Sequence, residues 1–160
     1  MRTRAKTLTA AFLTAAAATA TIAAVPAGAA PAPDNRGRDG RCAHQLTTAN
    51  QAFDRAFFGR DVDAFIDFYA DDATIIYFNG TRPYSKEEAR ANSTALFTQE
   101  WTASFAVLKT TVQGCDSAQV IEDGHFTRNG VTSHFLVGLS WIREHGAWKV
   151  VIDQGTQLPA

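Results

Sequence analysis

Cysteine is scarce in this chain, and neither sign of charge dominates it. Among 160 residues there are two cysteines, and 15 basic residues stand against 16 acidic ones. Two cysteines allow a single intramolecular pairing. The lack of a basic excess argues against nucleic acid and anionic membrane surfaces as partners, because a phosphate-binding face needs net positive charge. No C-x-x-C, H-E-x-x-H or G-x-S-x-G motif and no phosphate-binding glycine loop occurs, so the zinc, serine-hydrolase and nucleotide chemistries that those motifs carry find no support. Internal repeats are absent. Outside the first 29 residues, no apolar run is long enough to cross a bilayer.

What is present starts with those 29 residues. Arg2, Arg4 and Lys6 precede the uncharged, alanine- and threonine-rich stretch from Leu8 to Val25, and Ala27-Gly28-Ala29 supplies a small-x-small cleavage site. The pattern is that of an export signal, cut before Ala30. Cleavage removes three basic residues and no acidic one, so the formal charge of -1 becomes -4. The mature chain is expected outside the cytoplasm, secreted or extracytoplasmic, with no membrane contact after cleavage. In that compartment Cys42 and Cys115 are expected to form a disulfide. The A-x-A signal reads as bacterial, so the N-x-T sequons at Asn79 and Asn92 are treated as chance.

Residues 30–44 are rich in proline, glycine and charge and are expected to form a flexible leader. A domain is expected over residues 45–156, with 157–160 as a tail. Its first helix should cover Thr47–Gly59, capped by Thr47 or Thr48, with Ala49, Phe53, Ala56 and Phe57 on one stripe. Asp61 should cap a second helix, where it and Asp63 meet the positive end of the helix dipole. The stretch ATIIYFNG (73–80) predicts a strand, and Ser85 with Glu88 forms the capping box of a third helix. Trp101–Val112 predicts another strand, and Ala118–Gly155 three more, joined by turns at Asn129-Gly130 and Glu144–Ala147. The order helix, helix, strand, helix, four strands predicts an α+β domain: a curved antiparallel sheet wrapped on about three N-terminal helices.

The segments GRDVDAF, FYADDAT and WIREHGAWKVV, in that order, resemble the nuclear transport factor 2-like superfamily. The SnoaL-like, ketosteroid-isomerase-like and calcium/calmodulin-kinase association-domain-like members are the most similar. The resemblance covers nearly all of residues 45–156. It implies a cone-shaped, cystatin-like roll with a pocket between sheet and helices, and frequent homodimers. It does not imply one activity, because the fold hosts isomerases, cyclases, dehydratases and binding modules. Ketosteroid-isomerase chemistry in particular is not expected. The positions that would carry that family's base, oxyanion donor and protonated acid fall at Tyr77, at Phe53 and at Leu139 or Ser140.

The turns set a register. Pairing outward from Asn129-Gly130 puts His125 opposite His134 and Glu122 opposite Val137; pairing from the second turn puts Trp141 opposite Val150, Leu139 opposite Ile152 and Val137 opposite Gln154. Alternation then yields one apolar face, with Phe126, Phe135, Leu139, Trp141, Trp148, Val150 and Ile152. Glu122 and Gln154 are its polar exceptions. The opposite face carries Asp123, His125, His134 and Asp153. An unpaired carboxylate on the apolar face has a raised pKa, so Glu122 is the candidate general base; Tyr77, Glu122, Trp141 and Gln154 are the expected ligand-binding residues. The paired histidines lack an obvious third ligand, and no metal or cofactor is expected. The leading expectation is an exported, non-catalytic module for a small apolar or aromatic ligand. The alternatives are a SnoaL-like cyclase, isomerase or dehydratase working through Glu122, and a homodimeric assembly module.

Overall fold

The computed structural model of the chain describes residues 36–83 and 85–159. The export signal and residues 30–35 lie outside the described residues. Three helices, α1 (Arg36–Phe58), α2 (Val62–Asp67) and α3 (Lys86–Phe97), accompany five strands: β1 (Tyr69–Ile76), β2 (Thr102–Gln113), β3 (Ser117–Arg128), β4 (Val131–Glu144) and β5 (Ala147–Gln157). The strands form one sheet in the order β1-β5-β4-β3-β2. The α+β class and the helix order agree with the sequence reading. The sheet is mixed rather than wholly antiparallel, because β1 runs parallel to β5. Most of the domain separates these two strands, so no hairpin forces them antiparallel.

The first helix corrects the expected leader. It starts at Arg36, so residues 36–44 are helical. Cys42, Leu46, Asn50, Phe53 and Ala56 are its buried positions, spaced as one helix stripe, and Cys42 is bonded to Cys115 at the β2–β3 turn. Thr47 and Thr48 sit within the helix and donate back to the carbonyls of Ala43 and His44 rather than capping. The other caps agree with expectation: Asp61 accepts from the Ala64 amide at 3.0 Å, and Ser85 from the Glu88 amide at 3.1 Å. Arg60, in the left-handed region at φ 57°, ties the α1–α2 turn to the α3–β2 link. Its guanidinium donates to the carbonyls of Gln99 and Trp101 and lies 4.7 Å over the Trp101 ring.

Both meander turns are two-residue loops with positive φ, Asn129-Gly130 (54°, 76°) and His145-Gly146 (50°, 85°), matching the twist of the strands they join. The β3–β4 register is the expected one: His125 pairs with His134 and Glu122 with Val137. The β4–β5 register is as expected only as far as Trp141 opposite Val150. Ser140 then pairs with Ile152, Leu139 with Asp153 and Gly138 with Gln154. Val151 is the additional residue of a β-bulge, and a bulge reverses the facing of everything beyond it. Trp148 and Val150 are buried, whereas Ile152 is 42% exposed. Beyond the bulge Asp153, not Ile152 or Gln154, takes the inward position.

Candidate functional site

Between the helices and the concave face of the sheet lies a cavity of about 430 Å³. Phenylalanine rings form much of its wall, beside polar groups that include Asn92, Gln99, Arg128 and Asp153. Phe53, Phe57 and Phe65 come from the helices, and Phe105, Phe126 and Phe135 from the sheet. Phe78, just after β1, stacks on Phe135 with centroids 4.8 Å apart and planes 13° off parallel. Two glycines let these groups approach. A Cβ on Gly124 would lie 2.6 Å from the Phe135 ring, and one on Gly155 only 2.7 Å from the Phe78 backbone nitrogen.

Asp153 supplies the carboxylate in this wall. The Tyr69 hydroxyl donates to its Oδ2 at 2.6 Å. Tyr69 is 1% exposed and pairs with Val150 at the level of the bulge, so the same irregularity places both members of the pair. Burial pushes the Asp153 carboxyl up to about 6; the Tyr69 hydrogen bond lowers it and the Glu122 charge raises it. A carboxyl at that value exchanges its proton close to neutrality. Tyr69 itself is held well above its ordinary value by burial and by the Asp153 charge, so it stays a donor. Tyr77 also lines the cavity, as Ile75-Tyr77 alternation suggested. Burial pushes its phenol up to about 12, against the lowering effect of its hydrogen bond with Ser93.

Glu122, placed by alternation on the apolar face, is 1% exposed. It is not part of the cavity wall. Its Oε1 accepts from Asn50 Nδ2 of α1 at 2.7 Å, so its partner is a helix group and not Tyr77 or Gln154. Burial raises its pKa and the Asn50 hydrogen bond lowers it. Asp54, one turn beyond Asn50, is pushed up to about 7 by burial and by the Glu122 charge, with Arg55 opposing. Two carboxylates near one amide form a buried polar cluster in which a shared proton relieves the repulsion.

Two further expectations are corrected. Gln154 is exposed and outside the cavity wall, because the bulge reverses its facing. Trp141 is 0% exposed but lies behind the wall, edge-on to Phe53 at 5.8 Å and to Phe68 at 6.4 Å; it holds the lining in place. Phe53 and Leu139 are both buried.

Strand alternation missed Asp153 because Val150-Val151-Ile152 is a run of β-branched residues with no alternation to reveal a skipped position. Asn50 could have been found: it interrupts the apolar spacing Cys42, Leu46, Phe53.

A cone of three helices on a curved sheet, with a cavity walled largely by aromatic rings and one acid in that wall, is the architecture the described residues define. No protein-family model matches it, and no curated protein matches it in sequence. Solved structures do. A ketosteroid isomerase-like protein from Erwinia carotovora atroseptica superposes with a TM-score of 0.64 at 17% identity, covering 73% of this chain and 96% of that one. An NTF-2 like protein of unknown function from Shewanella oneidensis gives 0.60 at 16% identity, over 71% and 98%. A domain with a cystatin-like fold from Nostoc punctiforme gives 0.63 at 15% identity, over 77% and 79%. At these identities the likeness is one of fold. The chain has the nuclear transport factor 2-like fold, as the sequence resemblance implied.

Proposed function

We propose that the chain is an exported domain that binds a small, mostly apolar molecule in its cone, oriented through one oxygen by Asp153 and Tyr77. The observation that carries this reading is the cavity lined by phenylalanine rings with a single carboxyl, Asp153, in its wall. A volume of about 430 Å³ falls in the range of small-molecule sites, and apolar rings with polar groups set among them are a usual composition for such a wall. At neutral pH a fraction of Asp153 is protonated and can donate to a carbonyl or ether oxygen, while its ionised form accepts from a hydroxyl. Export is supported by the amino-terminal pattern and by the Cys42–Cys115 bond, which persists best in an oxidising compartment. Among the described residues no helix is long and apolar enough to cross a membrane. The homodimer is a proposal resting on the resemblance alone, and light scattering reads it directly.

Native mass spectrometry of the secreted protein, followed by dye displacement with 1-anilinonaphthalene-8-sulfonate, tests the binding reading. The expected result is a retained organic adduct or saturable dye binding that Ser133→Phe, which fills the cavity, abolishes. Dye binding that is unaffected by Ser133→Phe contradicts it.

A second reading has its own support. Asp153 with its Tyr69 donor is better placed than Glu122 for general acid–base catalysis, because it faces the cavity with a pKa about 6. Proton exchange at the α-carbon of ring-sized ketones in D2O, followed by NMR, tests it. Exchange lost in Asp153→Asn and kept in Glu122→Gln supports catalysis by Asp153; no exchange above background with any ketone removes the reading.

A further inference from the structure

On the convex face of the sheet, away from the cavity, Asp123, His125 and His134 come together. Asp123 and His125 lie two residues apart on β3 and so share a face, and His134 pairs directly with His125 across to β4. The two imidazoles lie parallel, 4.4 Å between centroids and 8° between planes. The diagonal neighbour Asp123 places Oδ1 2.6 Å from His134 Nε2. One potential ligand atom from each of the three lies within 4.8 Å of the others. Tetrahedral coordination with bonds of about 2.05 Å separates neighbouring donors by about 3.3 Å. The observed spacing brackets that value, so side-chain rotation alone reaches it while the paired strands stay in place. Among the described residues no hydrogen bond reaches the His125 ring, which leaves its nitrogens available to a cation.

We propose that Asp123, His125 and His134 form a binding site for a divalent transition-metal ion on the outer face of the sheet. Two imidazoles and one carboxylate make the donor set that suits zinc and its first-row neighbours rather than calcium or magnesium, which prefer all-oxygen shells. Three protein ligands leave at least one coordination position open. It faces outward, because His125 is exposed and Asp123 and His134 are only partly covered. Water or a donor atom of another molecule fills that position. In β2, Ser104 pairs with His125 and Ala106 with Asp123, so the residues directly opposite these two ligands bring no competing charge.

Calorimetric titration of Zn2+ into untagged mature protein tests the site. The expected result is one ion per chain, with His125→Ala and Asp123→Asn each weakening affinity by about tenfold or more and His44→Ala leaving it unchanged. A second measurement needs no variant: bound Zn2+ should protect His125 and His134, and not His44 or His145, from diethyl pyrocarbonate, as read by peptide mass spectrometry. The proposal is overturned if the wild-type chain takes up no Zn2+, if folded His125→Ala binds as tightly as wild type, or if the protection pattern does not single out His125 and His134.

Discussion

Three carboxyls, Asp54, Glu122 and Asp153, have raised pKa values, all with burial as the first cause. Each therefore holds its proton more tightly in the folded chain than in the unfolded one. Between the unfolded value near 3.8 and the folded values of about 7 and about 6 for the two aspartates, the unfolded chain ionises first. Stability from these groups is full below about pH 4 and declines as pH rises to about 7. The melting temperature should accordingly be higher at pH 5 than at pH 7.5. Asp54→Asn, a neutral stand-in for the protonated acid, should raise it at pH 7.5 by on the order of 5 °C and change it little at pH 4.5. A melting temperature that climbs between pH 5 and 7.5, or an Asp54→Asn effect equal at both pH values, contradicts this account. The cluster explains why Glu122, placed by alternation on the apolar face, is held by Asn50 and kept off the cavity wall: alternation gives the face of a residue but not which neighbour it meets.

Among the elements, β5 decides the site. Its bulge at Val151 exchanges Ile152 for Asp153 on the concave face. Ile152→Lys should thus cost about 1 kcal/mol or less, as at an exposed position, whereas a straight strand would bury Ile152 and make the same change cost several. Chemical denaturation of the two proteins separates these outcomes. The turns, caps and β3–β4 register were legible because each has a local signal, such as Asn129-Gly130 or Ser85 with Glu88. The bulge was not, because its cause is non-local: β1 pairs with β5 at Tyr69–Val150 and resumes only at Thr74–Ile152, so two strands far apart in sequence break register at the same level. The start of α1 was hidden similarly. Arg36–Arg41 has a loop composition, and the helix there leads into Cys42, which the Cys115 bond and the core hold in place.

For the whole molecule, the disulfide and the aromatic shell have separate roles. The bond joins α1 to the β2–β3 turn across 73 residues, and a loop of that length corresponds to roughly 4 kcal/mol in the chain-entropy view. Cys42→Ser with Cys115→Ser should lower unfolding free energy by about that amount in urea titration, and an unchanged midpoint would contradict it. Phenylalanine rings line the cone, and Asp153 is the acid in its wall. That an acid faces an apolar cavity there, because of one skipped residue, is the central claim, and carbon-13 NMR of the Asp153 carboxyl across a pH series tests it most directly. The account predicts a titration midpoint of about 6; a midpoint near the ordinary value of 3.8 would place Asp153 in water and contradict it.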